Sequence, residues 1–182
     1  MGTPRLNLPT LLTLSRIVLI PVFVLAVDLH PVFGALIFGI ASLTDFLDGY
    51  LARRSGDITK FGIILDPIAD KFLVISALIV LVDMNLLEAW IAITIIVREF
   101  LVTGLRVVAL SKDIVIPAEI GGKIKTTIQI VAILCLILRS KILIIDLYDI
   151  GIVLIWAALV LSIISGVQYT ISFGKKYKQG YD

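Results

Sequence analysis

Long apolar runs separated by short polar breaks set the pattern of this chain. Six runs approach the roughly 20 residues that an α-helix needs to cross a bilayer. They predict helices over Leu11–Val27, Val32–Ala52, Phe61–Val82, Leu86–Leu110, Ile120–Leu138 and Leu147–Phe173. No linker, internal repeat or low-complexity stretch interrupts them, so residues 1–182 read as a single domain. The first run begins near Leu8 and is longer than a signal-peptide core of about 7–15 residues, which reads as a retained helix. The expected fold is an all-α integral membrane protein of six transmembrane helices with a polar cavity open to the cytoplasm.

One stretch breaks the pattern. Between Thr44 and Lys71 the sequence is TDFLDGYLARRSGDITKFGIILDPIADK. Asp45, Asp48, Asp66 and Asp70 lie here between strongly apolar runs. Carboxylates within a membrane are costly, so by default they mark a functional site. Asp45 and Asp48 are i,i+3 and Asp66 and Asp70 are i,i+4, so each pair shares one helix face. Gly49 and Ala52 continue the first face and Gly62 begins the second, where small residues admit a ligand or another helix. Four negative charges gathered by two helices require cations, and hard divalent ions with oxygen ligands are the natural partners.

Composition supports the membrane reading. The chain is 59% hydrophobic, against about 45–50% for a soluble domain, and its mean hydropathy is +1.10. Charged residues amount to only 16% and cluster between the apolar runs. Cys135 is the only cysteine, so no disulfide within the chain is possible. With the N-terminus inside, fourteen Lys and Arg fall on the inner side and only Arg139 and Lys141 on the outer. That asymmetry places both termini in the cytoplasm. Asp48 then lies about seven residues before the end of the second helix and Asp66 about seven past the start of the third, each roughly 10 Å deep. Lys175, Lys176 and Lys178 form a short basic tail suited to anionic lipid headgroups and not to nucleic acid. His30, beside Pro31 in an outer turn, reads as structural.

A clamp of carboxylates and divalent ions suits phosphoryl transfer, because two metals can neutralise a pyrophosphate and stabilise the attacking and leaving oxygens. The bland alternative is a set of interhelical salt bridges with Arg53, Lys71 or Arg98. Arg98 and Arg106 lie i,i+8 on the fourth helix, and Gly121-Gly122-Lys123-Ile124-Lys125-Thr126 opens the fifth. Unpaired amides at a helix start attract anions. This second, basic site suits a substrate that bears its own phosphate. Pairing of Arg98 with Glu99 or of Arg106 with Glu119 is the competing structural reading.

The spacing Asp45-x2-Asp48-Gly49-x2-Ala52-Arg53-x8-Gly62-x3-Asp66-x3-Asp70 resembles, at every fixed position, the signature of the CDP-alcohol phosphotransferases. The resemblance implies a membrane enzyme that uses a CDP-linked lipid and Mg2+ or Mn2+. It implies that Asp45, Asp48, Asp66 and Asp70 hold the metal and that Asp70 serves as base. The residues alone leave base and ligand unassigned among the four. Gly49, Ala52, Arg53 and Gly62, together with Asp48, resemble positions that contact the nucleotide-lipid, and Arg53 offers a planar fork for phosphate. Asn7 and Thr10 resemble further nucleotide contacts, although Asn7 before Pro9 is also a good helix cap. The segment Val97-Arg98-Glu99-Phe100, Arg106, Gly122-Lys123-x-Lys125-Thr126 and the opening Asn7 to Arg16 look like the branch of that family making phosphatidylglycerol phosphate. That likeness implies sn-glycerol 3-phosphate as acceptor, CDP-diacylglycerol as donor, and Arg98, Arg106, Lys123 and Lys125 around the acceptor's phosphate. A homodimer in the inner (cytoplasmic) membrane, multi-pass, with its active site facing the cytoplasm, is expected from the same resemblance and from the charge asymmetry. The same transfer to inositol phosphate, serine or phosphatidylglycerol is an alternative, as is a divalent cation transporter, for which no internal repeat is visible.

Overall fold

The computed structural model describes the backbone of residues 8–55, 60–111, 120–142 and 145–179. Side chains are described throughout these segments except at 8–14, 16, 45–55, 60–70, 110, 120–123, 141–142, 145 and 178–179. Each apolar run forms a helix: α1 (Leu8–Leu29), α2 (Pro31–Ser55), α3 (Lys60–Asp83), α4 (Ala89–Ser111), α5 (Ile120–Leu138) and α6 (Leu147–Gln179). A two-residue antiparallel pair, β1 (Lys141–Ile142) and β2 (Ile145–Asp146), joins α5 to α6, with Lys141 opposite Asp146. The described residues are therefore helical apart from this short connection and the turns between helices.

The helix ends follow local chemistry. His30 begins α2 by accepting the Val32 amide on its Nδ1 at 3.2 Å, and its carbonyl accepts from Phe33 and Gly34. It is thus a cap, as its place beside Pro31 suggests. Asp146 caps α6 by accepting the Tyr148 amide at 2.9 Å, the preferred role of an Asp at a helix start. Asn85 ends α3 with φ 57°. There the Leu86 amide reaches the Leu81 carbonyl and the Asn85 amide the Val82 carbonyl, the paired bonds of a left-handed helix cap. That cap takes up Met84 to Leu87, so α4 starts at Ala89 and not at Leu86 as the apolar run suggested.

The helices close into a ring in the order α1, α2, α5, α6, α4, α3, and α3 also touches α2 and α5 across the middle. Phe23, Phe38, Leu78, Leu81, Ile95, Ile133, Leu136 and Ile155 are fully enclosed. Close approach is set by small residues. A Cβ on Gly34 would overlap Val27 Cγ2, and one on Gly151 would lie 2.7 Å from Leu136 Cγ.

The outer surface is apolar too. Leu29 is 83% exposed, Val153 67%, and Val18 and Leu25 65% each. Exposed apolar area on that scale marks an interaction surface. Residues Leu147–Tyr177 form a helix long and apolar enough to cross a membrane, with mean hydropathy 2.6 over its best window. Shorter apolar helical stretches occupy Ile17–Leu29, Pro31–Thr44 and Ile124–Leu138.

Candidate active site

Charged side chains gather inside the ring where α3, α4, α5 and α6 converge. Glu99 of α4 is their centre. Its Oε2 accepts from Lys71 Nζ at 3.3 Å, and its Oε1 accepts from Arg98 Nη1 at 3.0 Å and from Lys125 Nζ. Lys125 is only 2% exposed. Among the described residues, three cations share the Glu99 carboxylate. A buried ammonium needs such a partner because desolvation of an unpaired charge is costly.

Arg98 is held from the other side by α6. Its Nε donates to the Ser162 carbonyl at 2.8 Å and its Nη2 to Ser165 Oγ at 2.6 Å. Gly166 makes this possible, since a Cβ there would lie 3.1 Å from Arg98 Cγ. Arg98 thereby uses three of the five N–H donors of its fork. Arg106 lies two turns along α4, exposed, its guanidinium 5.9 Å from the ring centroid of Tyr169, within cation–π range.

Next to Glu99 is a cavity of about 210 Å³ bounded by α2, α3, α4 and α5. Lys71, Glu99, Ser42, Thr126 and Gln129 supply its polar lining, and Leu73, Val74, Ile75, Leu78, Ile95, Ile96 and Ile130 the rest. Ser42 stands one turn before Asp45 on α2, and Lys71 directly follows Asp70 on α3. The cavity therefore lies just beyond the two carboxylate pairs, further from the α2–α3 connection.

The backbone carries the four aspartates as the spacing requires. Asp45 and Asp48 fall on α2 and Asp66 and Asp70 on α3, and these two helices pack together. Gly49, Ala52 and Arg53 continue α2, and Gly62 is in the first turn of α3. The side chains from 45 to 70 lie outside the described residues, as does all of Asn7. Thr10 and Lys123 are described as helical backbone only, in α1 and α5. Among the described residues no group of three or more His, Cys, Asp and Glu gathers to hold a metal. Of the four basic residues assigned to the acceptor, Arg98 and Lys125 meet through Glu99, whereas Arg106 stands apart over Tyr169. The Arg98–Glu99 pairing weighed from sequence is present.

Sequence reasoning passed over Lys71 as a partner of Glu99, and Ser162, Ser165, Ser42 and Gln129 altogether. A usable signal existed for the last four, each a polar residue inside an apolar run, where lipid cannot satisfy it.

The family model described as CDP-alcohol phosphatidyltransferase matches residues 6–164. The chain belongs to the CDP-alcohol phosphatidyltransferase family. Several relatives share one name. A protein of Bacillus subtilis (strain 168) named CDP-diacylglycerol--glycerol-3-phosphate 3-phosphatidyltransferase is 40% identical, covering 90% of this chain and 93% of its own. Proteins of the same name from Rickettsia felis and Shigella flexneri serotype 5b are 41% and 42% identical. They cover 90% and 91% of this chain and 93% of their own lengths. Membership places α1 to α5 and half of α6 inside the CDP-alcohol phosphatidyltransferase match, and the aspartate motif with them.

Proposed function

We propose that the chain transfers the phosphatidyl group of CDP-diacylglycerol to sn-glycerol 3-phosphate, giving phosphatidylglycerol phosphate and CMP. The observation that carries this reading is the shared name of relatives about 40% identical over nearly the whole chain. The basic cluster beside the cavity supports it. An acceptor that brings its own phosphate needs cations, and Lys71, Arg98 and Lys125 gather on Glu99.

In the proposed reaction the acceptor's hydroxyl oxygen attacks the lipid-side phosphorus of CDP-diacylglycerol. The bond from that phosphorus to the bridging oxygen breaks and CMP leaves. Asp70 takes the hydroxyl proton as general base. Asp45, Asp48, Asp66 and Asp70, all hard oxygen donors on packed helices, suit a divalent ion such as Mg2+ or Mn2+. When bound, such ions offset the charge of the pyrophosphate. Asn7, Thr10, Asp48, Gly49, Ala52, Arg53 and Gly62 line the nucleotide-lipid site, where Arg53 grips phosphate. Arg98, Arg106, Lys123 and Lys125 draw in the acceptor's phosphate, with Arg106 and Lys123 nearer the mouth and Lys125 deeper. The six helices all cross the cytoplasmic membrane with the aspartates near the cytoplasmic face, one domain spanning 1–182 and pairing as a homodimer.

The test is an acceptor assay. Purified protein with CDP-diacylglycerol and Mg2+ or Mn2+ is given glycerol 3-phosphate, inositol phosphate, serine or phosphatidylglycerol in turn, and CMP is measured. Release that depends on glycerol 3-phosphate is expected. Release that depends instead on another acceptor would overturn the assignment.

A further inference from the structure

Two polar atoms in the cavity lining have no partner among the described residues. Gln129 of α5 is 3% exposed and Ser42 of α2 is 9% exposed, yet Gln129 Nε2 and Ser42 Oγ make no hydrogen bond. Buried polar groups are nearly always bonded, and leaving one unsatisfied is costly. Both line the same cavity, from helices that pack on each other. Leu78, Ile95 and Ile130, which share the lining, offer nothing to bond, and the rest of its polar lining is Thr126, Lys71 and Glu99, the carboxylate that Arg98 and Lys125 also reach. The lining thus joins an ionic group to two neutral side chains with unmet hydrogen-bonding capacity. A small molecule that is anionic at one end and carries neutral hydroxyls at the other matches both.

We propose that Ser42 and Gln129 are specificity-determining residues that hydrogen-bond the acceptor's non-reacting hydroxyl, while the cations near Glu99 take its phosphate. An amide N–H can donate to a hydroxyl oxygen, and that hydroxyl can donate to serine in turn. Ser42 stands one turn from Asp45, so a hydroxyl held there keeps its neighbouring reactive hydroxyl near the carboxylate pairs. The inference rests on glycerol 3-phosphate as acceptor and adds which residues recognise its polyol end. A site built to bond a hydroxyl also discriminates strongly against an analogue lacking it, because its own polar groups are then left unpaired.

The test compares glycerol 3-phosphate with 3-hydroxypropyl phosphate, which lacks the middle hydroxyl, in the wild type, Ser42→Ala and Gln129→Leu. Ser42→Ala removes one atom and keeps the fold. In the wild type the analogue is expected to be used at least about tenfold less efficiently. In each variant kcat/KM for glycerol 3-phosphate should fall about tenfold and that for the analogue should stay, so that the preference largely disappears. The KM for CDP-diacylglycerol should not change. Wild-type preference retained in Ser42→Ala, or a defect confined to CDP-diacylglycerol, would overturn the proposal. If the wild type does not use glycerol 3-phosphate at all, it is the proposed function that fails.

Discussion

Glu99 holds together charges that would otherwise repel. Lys71, Arg98 and Lys125 all bond to it, and Lys125 is almost fully enclosed. Replacing it by Gln keeps the shape and removes the negative charge that these three cations share. Breaking a buried pair costs about 3–5 kcal/mol, and the partial exposure of Lys71 lowers that to about 2–4 kcal/mol here. Glu99→Gln should therefore unfold at lower temperature in detergent. Inorganic phosphate should recover more of the loss than chloride at equal ionic strength, since a bound anion replaces the missing charge. Equal unfolding temperatures for Glu99→Gln and the wild type would mean the cluster is solvated after all. The aspartates separate by role in a second comparison. If Asp48 holds metal as proposed, Asp48→Asn keeps the volume but loses a ligand charge, so it should lose both nucleotide-lipid capture and CMP release at limiting Mg2+. Asp70→Asn should still bind CDP-diacylglycerol with metal and fail to release CMP, as expected for a base needed in the transition state. Equal loss of binding in both would make Asp70 a ligand first.

Helix positions were legible because apolar length decides them. Ile120–Leu138 is the same in sequence and structure, and the other ends differ by a few residues. α6 extends to Gln179 because Lys175 and Lys176 are good helix formers, so their charge ends the apolar run but not the helix. The cap at Asn85 and the short β1–β2 pair depend on backbone conformation, which apolar length does not report. Within the site, the aspartate motif was visible because its spacing is local to two helices. Glu99 as a shared partner was not, since Lys71 and Lys125 reach it from 28 and 26 residues away. Helix packing gives a prediction of its own. Gly34→Ala drives a methyl into Val27 Cγ2 and to 2.9 Å from its Cα, so α1 and α2 must separate. Overpacking of this kind costs about 1–3 kcal/mol. Gly39→Ala on the same helix meets only Leu134 Cδ2 at 3.8 Å, an ordinary contact, and alanine gains up to about 1 kcal/mol in helix propensity. Thermal unfolding in detergent should therefore lower the midpoint for Gly34→Ala and hold or raise it for Gly39→Ala. The opposite order would contradict the close α1–α2 approach.

For the molecule as a whole, apolar exposure and charge asymmetry point the same way. α6 has 33 residues, about 50 Å at 1.5 Å per residue, which exceeds a hydrocarbon core of about 30 Å. Its apolar part begins at Leu147, so the excess carries the exposed Lys175 and Lys176 out at the far end. In the proposed six-span arrangement the basic end lies inside, the side that basic residues favour, and the α5–α6 connection outside. With α4, α5 and α6 each crossing once in that arrangement, the α4 C-terminus is inside as well. Ser140 and Ser111 are exposed at these two levels, and Cys135 is the only native thiol. In a Cys135→Ala background, Ser140→Cys and Ser111→Cys provide single reporters on opposite faces. A membrane-impermeant maleimide added to intact cells should label Ser140→Cys and spare Ser111→Cys. Permeabilised membranes should label both. Labelling of Ser111→Cys alone in intact cells would invert the chain and put the aspartates on the wrong side of the membrane for a cytoplasmic nucleotide. Labelling of both in intact cells would mean that α5 does not cross, and the six-span arrangement would fail with it.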